Sequence, residues 1–391
     1  MVTRLRQEVW DLDRCSGCGA CVAACNKLVL YWGDAQHPLL EERVKHLGLS
    51  ETILDTCFFC PKLCEAACPR LKEWTPLLPR LQLSARGVGV SPSSDPNGVI
   101  CNLLVAARAA GLIDGVVIMD VDPWSLQPAA RVAVTVAEIA DALGMQGLWT
   151  PVLDGLNDAV HKLKLRHIAV VGAPCVAEAV RNIRETDEDE GRLSFYRDAI
   201  RLSIATFCTG VYMPSLIGDY FERELGISPE TIRRLVRSES DGTLTATLYD
   251  GGTRTIPLAA IEGYTRKGCA VCGDFVGESA DIGVGLVGAE EGYVTLITRS
   301  AVGDITIRNA VTLGLLETVE EVDLAALELA TVEKERRDRA QAFDDLQLLM
   351  LDALSDPQRR AEVRTQLARL YKVPPSAQVK EEKSHVVCSG C

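Results

Sequence analysis

From about residue 95 the apolar positions of the chain alternate between two periods. Asn97 to Gly111 carries apolar residues at helical spacing (Val99, Leu103, Leu104, Ala107), which predicts an amphipathic helix. Gly115 to Met119 is a short, unbroken apolar run, as expected of a strand buried on both faces. The alternation then repeats: a helix over 153–163, a strand over His167 to Gly172, a helix through Arg184, and a strand from Arg201 to Phe207. Strands separated by helices predict a mostly parallel core sheet. Ligands in such sheets sit at the carboxyl ends of strands, where Cys175 and Cys208 fall. Residues 243–257 read as a hairpin turning at Asp250-Gly251-Gly252. After about residue 305 the pattern turns helical, with residues 322–354 dense in Ala, Leu, Glu and Arg and a further helix over 357–372. Pro374-Pro375 closes the folded part ahead of a charged tail.

The first seventy or so residues follow a different logic, one set by cysteine. The expected organisation is a cluster-binding module over residues 1–80, an α/β domain over 81–310, a helical region over 311–375 and a tail over 376–391. The fold class is α/β, or α+β overall. Pro69, Pro76 and Pro79 lead toward Gly87-Val88-Gly89 and mark the first boundary. A charged insertion, Tyr31 to Thr56, separates two Cys runs and carries a helix start at Ser50-Glu51.

The first run, Cys15-Ser-Gly-Cys18-Gly-Ala-Cys21-Val-Ala-Ala-Cys25, has the C-x2-C-x2-C-x3-C spacing of a bacterial-type ferredoxin. The fourth Cys of such a run usually serves a second cluster. A partner run follows as Cys57-Phe-Phe-Cys60-Pro-Lys-Leu-Cys64-Glu-Ala-Ala-Cys68-Pro69, with x3 rather than x2 between its second and third Cys. Crossed ligation assigns Cys15, Cys18, Cys21 and Cys68 to one 4Fe–4S cluster and Cys57, Cys60, Cys64 and Cys25 to the other. Gly17, Gly19 and Ala20 keep bulk away from the cluster and leave backbone amides for its sulfides. Structural zinc is the competing use of such spacing.

Fifteen Cys without an export-type apolar segment before Cys15 point to metal ligation in a reducing cytoplasm rather than to disulfides. The net charge of -13 excludes nucleic acid as the main partner. No run of about 18 apolar residues is present to span a bilayer, which leaves peripheral association with a larger redox complex or a redox partner protein. Hydrolase motifs are absent, and the five His (His37, His46, His161, His167, His385) sit in no ligand or triad spacing.

Four further Cys remain. By spacing alone, Cys175, Cys208, Cys269 and Cys272 could converge on a third cubane, or Cys175 and Cys208 could be small core residues. Cys101 lies inside the first amphipathic helix and is expected in the core. Gly283-x-Gly285-x-x-Gly288 matches G-x-G-x-x-G literally, but no βαβ unit surrounds it and Glu290-Glu291 would repel a pyrophosphate. A Gly-rich segment that lets a flat cofactor approach the backbone is the expectation kept for it. The terminal Cys388-Ser-Gly-Cys391 is either half a metal site or a thiol pair in a tail.

Gly172-x-Pro174-Cys175, Cys208, Cys269-x-x-Cys272 and Ala280-Asp281 through Gly288 to Tyr293 together resemble the family of coenzyme F420 hydrogenase/dehydrogenase beta subunits, over roughly residues 90–310. With its fused ferredoxin module, the chain is similar to that family's F420H2 dehydrogenase input subunits. The resemblance implies FAD, a third 4Fe–4S cluster on Cys175, Cys208, Cys269 and Cys272, and coenzyme F420 as hydride partner. It also implies cofactor contacts at Gly98, Gly172, Gly283, Gly285 and Gly288. Some relatives instead take electrons from ferredoxin to reduce an organic substrate, and a flavin-free wiring subunit is a further reading. The chain departs from the family at four places. It has Asn97-Gly98 for a Gly-Gly pair, and Gly147-Leu148-Trp149-Thr150 for a segment with Lys and Tyr. It also has Val176 for Gln and Tyr293 for Trp.

Overall fold

The computed structural model describes residues 4–33, 36–39, 60–143, 147–187, 191–238 and 241–353, with side chains described as far as residue 338. The helix start at Ser50-Glu51, Cys57, the helix over 357–372 and Cys388 and Cys391 lie outside the described residues. Packing divides the chain into two units, Met1–Glu335 and Arg336–Cys391. The described part of the second is the continuation of the last helix.

The first unit is built on an eight-stranded sheet. Its centre is parallel: β2 (Gly115–Val121), β4 (Ile168–Gly172), β5 (Ile200–Thr206) and β9 (Ile282–Gly285). Antiparallel strands flank that centre. On one side stands β3 (Pro128–Ala133), and on the other β10 (Val294–Thr298), β1 (Leu81–Gly87) and β11 (Leu316–Val319). The order across the sheet is β11-β1-β10-β9-β5-β4-β2-β3. Period-two alternation decides what each face meets. Ala169 and Val171 of β4 join one core, while Ile168 and Val170 join another on the opposite face. The first core takes its cover from α3 (Pro96–Ala109), where Ile100, Leu103, Leu104 and Ala107 are buried, and from α4 (Val136–Ala142) and α7 (Ala301–Thr312). Cys101 is buried there as expected, and burial pushes its thiol up to about 11.

The second face is covered by α5 (Pro174–Arg184), α6 (Arg192–Ala199) and the cysteine module itself. The module's short helices α1 (Ala20–Ala23) and α2 (Leu63–Ala66) put Ala20, Ala23 and Leu63, with Ala67 at the end of α2, into this core beside Val117 and Val180. A second sheet holds β6 (Ile232–Ser238), β7 (Thr243–Leu248) and β8 (Thr253–Pro257) in that order. The last two form the expected hairpin.

Several strands escaped the sequence pattern for physical reasons. β1 buries Ser84 and Ala85 rather than large apolar residues, and Ser84 Oγ donates to Glu321 O at 2.5 Å. β9 is hidden by its two glycines. The chain does not turn wholly helical after residue 305. β11 interrupts it, adding an edge strand to β1 before the long helix α8 (Leu324–Ala353).

One buried carboxylate ties the sheet together. Asp281 Oδ2 accepts from Ser203 N at 2.7 Å, from Ser203 Oγ at 2.9 Å and from Arg184 Nη1 at 2.8 Å, so it joins β9's start, β5 and the end of α5. Removing it strands a guanidinium and a buried amide. Asp281→Ala is expected to cost about 2–4 kcal/mol in urea unfolding; an unchanged midpoint would show the network to be dispensable.

Candidate redox site

The carboxyl ends of all four parallel strands open on one cavity. Ile118 and Met119 of β2, Gly172 of β4, Thr206 of β5 and Gly285 of β9 line it, and its open volume, mouth included, is about 1140 Å³. The walls are mainly apolar. Among its lining residues Arg237 of β6 is the one charged side chain; it donates through Nη1 to Gly210 O and lies over the Tyr212 ring at 5.1 Å. The N-terminus of α5, at Ala173–Cys175, also faces the cavity and carries no side-chain cap.

Two sets of thiols meet at this edge. Cys15, Cys18, Cys21 and Cys68 line a small neighbouring cavity, its open volume about 290 Å³ with the mouth included, together with Trp10, Trp32, Ser16 and apolar side chains. Burial pushes the Cys18 thiol up to about 11 and Cys21 well above the ordinary range, where Cys15, Cys18, Cys68 and Cys64 raise it further. Cys25 is buried in the same N-terminal core, with Cys64 packed against it and Cys60 half-buried. The second set is Cys175, Cys208, Cys269 and Cys272. Burial raises Cys208 to about 12 and holds Cys175 well above the ordinary range; Cys272, Cys18 and Cys208 each raise Cys175 further. Cys18 and Cys175 also line the large cavity, as does Cys208. Among the described residues no three His, Cys, Asp or Glu side chains converge to hold a single metal ion.

Two buried cations, Arg266 and Lys334, and the half-buried Arg70 stand among the thiols. Arg70 Nη2 donates to Gly268 O at 3.3 Å, and against the penalty of burial Cys272, Glu178 and Cys175 hold its guanidinium well above the usual range. Arg266 is 1% exposed, stacks at 4.0 Å on Trp149 and donates through Nη2 to Cys15 O at 3.3 Å and Gln36 O at 2.5 Å. Burial lowers its pKa, and Cys15, Cys269, Cys175 and Cys18 oppose that fall. Lys334 Nζ donates to Thr209 O at 2.9 Å beside Cys208, whose raised thiol it draws down.

The module is fastened to the sheet through main-chain carbonyls of its Cys runs. Leu153 N donates to Cys18 O at 2.9 Å, Asn182 Nδ2 to Cys68 O at 2.9 Å, and Tyr196 Oη to Ala23 O at 3.1 Å. Trp149 Nε1 donates to Gly17 O at 3.0 Å. A Cβ on Gly17 would lie 2.2 Å from that nitrogen, and one on Gly268 only 2.1 Å from Cys15 O. The glycines of the first run therefore make room for the α/β domain as well as for whatever the thiols hold.

The predicted cofactor glycines divide. Gly172 and Gly285 line the large cavity, whereas Gly98 does not; its neighbours Pro96 and Asn97 do. The missing Cβ of Gly285 is filled by the Phe207 ring at 2.0 Å, that of Gly283 by Val276 O at 2.3 Å, and that of Gly288 by Leu327 at 2.8 Å. These glycines thus admit protein neighbours. Sequence reasoning missed Arg70, Arg237 and Arg266, since isolated arginines carry no spacing signal. A position beside a ligand-spaced Cys was the available clue for Arg70 and Arg266.

Fold and thiol sets define an iron–sulfur electron-transfer protein of the oxidoreductase class. Residues 14–71 match the 4Fe-4S dicluster domain. Residues 165–323 match the family described as the C terminus of the beta subunit in coenzyme F420 hydrogenase/dehydrogenase. An uncharacterized protein of Methanocaldococcus jannaschii is 34% identical over 85% of this chain and 96% of its own length. A subunit of the F420H2 dehydrogenase of Methanosarcina mazei is 28% identical over 76% of this chain and 82% of its own. A chain of the F420-reducing NiFe hydrogenase complex from Methanosarcina barkeri superposes with a TM-score of 0.61 at 26% identity, covering 68% of this chain and 92% of that one. The chain belongs to the family of coenzyme F420 hydrogenase/dehydrogenase beta subunits. Among the described residues no helix is long and apolar enough to cross a membrane.

Arg266→Met keeps the bulk but leaves Cys15 O and Gln36 O without their donor. The expected result is a loss of about 2–4 kcal/mol, with several-fold faster bleaching of the visible iron–sulfur absorbance under a chelator. Bleaching at the parent rate would show that the guanidinium does not hold the module in place.

Proposed function

We propose that the chain moves electrons between a coenzyme F420-type hydride carrier and one-electron carriers, with FAD in the large cavity and three 4Fe–4S clusters. The assigned ligands are Cys15, Cys18, Cys21 and Cys68; Cys25, Cys57, Cys60 and Cys64; and Cys175, Cys208, Cys269 and Cys272. The observation that carries the proposal is that one cavity at the carboxyl edge is lined by Cys18 of the first set and by Cys175 and Cys208 of the second.

The residues present fit these groups. Apolar walls suit a flat ring system. The positive end of α5 and the Arg237 guanidinium offer favourable potential and charge to a pyrophosphate. The high thiol pKa values mean that these cysteines become thiolates only against compensating charge, and Arg70, Arg266 and Lys334 supply it from within the protein. When bound, a flavin interconverts a two-electron hydride and single electrons, and 4Fe–4S clusters carry the single electrons. The chain's own part is to exclude water with Leu148, Trp149 and Phe207, to orient its ligands, and to bring the two thiol sets to one edge.

Anaerobic purification with iron, sulfide and flavin determination tests the proposal. The expected content is about twelve irons and about one flavin per chain, falling by about four irons in Cys272→Ser. About eight irons without flavin would overturn the role given to the α/β domain. Reduced F420 is expected to bleach the flavin and clusters. Bleaching by reduced ferredoxin alone would replace the F420 assignment with ferredoxin-dependent reduction of another substrate.

A further inference from the structure

The chain holds five tryptophans, and their indole N–H groups fall into two kinds. Trp149 donates to Gly17 O at 3.0 Å, Trp74 donates to Asn182 Oδ1 at 2.5 Å, and Trp124 is 74% exposed to water. The Nε1 atoms of Trp10 and Trp32 are buried and have no acceptor among the described residues. Both rings line the same small cavity, the one formed with Cys15, Cys18, Cys21 and Cys68.

A buried N–H without an acceptor costs about 1–3 kcal/mol, and native structures rarely tolerate it. Two on one cavity place the missing acceptor inside that cavity. The remaining walls are Leu5, Val9, Pro69, Gly19 and Ser16, whose side chain is hydrogen-bonded to Cys18. A trapped water needs two to four polar partners, which thiols, hydrocarbon and one hydroxyl already engaged with Cys18 supply poorly. Cluster sulfur meets the requirement, being an acceptor of negative charge in a dry site.

The rings are also held in place. His37 stacks on Trp10 at 5.3 Å with an interplanar angle of 8°, and Trp149 meets Trp32 edge-on at 5.2 Å and 68°. Trp10 closes the helical turn Leu5–Trp10 ahead of the first Cys run, and Trp32 follows that run, so the two donors arrive from either side of it in the chain.

We propose that Trp10 and Trp32 donate N–H···S hydrogen bonds to the iron–sulfur cluster held by Cys15, Cys18, Cys21 and Cys68, and thereby raise its reduction potential. The inference rests on the ligand assignment made above. Reduction adds negative charge to the cluster, and donors aimed at its sulfurs stabilise that charge; hydrogen bonding to sulfur is one of the terms that sets such potentials.

The test is an EPR-monitored redox titration of the full-length, anaerobically prepared protein and of Trp10→Phe, Trp32→Phe and the double variant. Phenylalanine keeps an aromatic ring while removing the donor and part of the indole's bulk. Each single variant, iron-replete, is expected to lower one cluster's midpoint by roughly tenfold in its reduction equilibrium, which is ~59 mV for a one-electron couple. The double variant should lower it further, while Trp124→Phe leaves it in place. Unmoved midpoints in iron-replete Trp10→Phe and Trp32→Phe would overturn the inference while leaving the cluster intact. An unsubstituted protein with no reduced-cluster signal would instead overturn the ligand assignment beneath it. Should a variant fail to load iron, nitrogen-15 tryptophan in the unsubstituted protein gives the same decision. Indole nitrogen coupling to the reduced cluster supports the hydrogen bonds, and its absence from pulsed EPR overturns them.

Discussion

The molecule depends on how closely the first cysteine run approaches the carboxyl edge of the sheet. Gly17 lies against the Trp149 indole, Gly268 against Cys15 O, and Cys18 O accepts from Leu153 N. A side chain at either glycine would push the module outward by the width of a methyl group. Electron exchange weakens steeply with distance, so under the proposed ligand assignment the contacts that join the two parts of this unit also set the separation of their thiol sets. Docking and function are one constraint here. It also accounts for the small residues on the module's inner face: Ala20, Ala23 and Ala67 are fully buried against the sheet's second core, where a larger residue would act as a spacer.

Charge is the second constraint, and it follows from the first. Bringing eight thiols to one buried edge is unfavourable once they lose their protons, because anions in low dielectric need partners. A chain with a net charge of -13 nonetheless places Arg70, Arg266 and Lys334 inside this region. Each is anchored by a backbone carbonyl rather than by a carboxylate alone: Gly268 O, Cys15 O and Thr209 O respectively. A carbonyl fixes position without cancelling the charge, which leaves the cation free to act on the thiols. Arg70 also faces Glu178 at 3.8 Å, a longer and weaker pairing.

Much of this was legible in the sequence, and the limits have physical causes. The parallel centre showed itself because strands buried on both faces become continuous apolar runs, as in Ile168 to Val171. The edges stayed hidden because β1 buries Ser84 and Ala85 and β11 is only four residues long. The first Cys run announced itself through spacing alone. The glycines of β9 carry less information than the Cys run for an instructive reason. A missing side chain signals that something comes close, not what; at Gly283 and Gly285 it is Val276 O and Phe207. Arginines that act across the fold, over 251 residues in sequence for Arg266 and Cys15, leave no local pattern to read.

The segment Gly147-Leu148-Trp149-Thr150 joins these constraints. Its resemblance to family members predicts a lysine where Trp149 stands, and on charge alone that replacement weakens an anion site. The structure shows a different division of labour. Trp149 uses its N–H to hold Gly17 O, its face to carry Arg266 and its edge to brace Trp32, so one residue serves the docking contact, the buried cation and the small thiol cavity. A lysine could offer none of the ring contacts. The positive charge at the cavity wall comes instead from Arg237 on the separate small sheet, fixed by Gly210 O and Tyr212. With Arg237 as the cation at the cavity wall, the segment serves as the keystone between the module and the α/β domain.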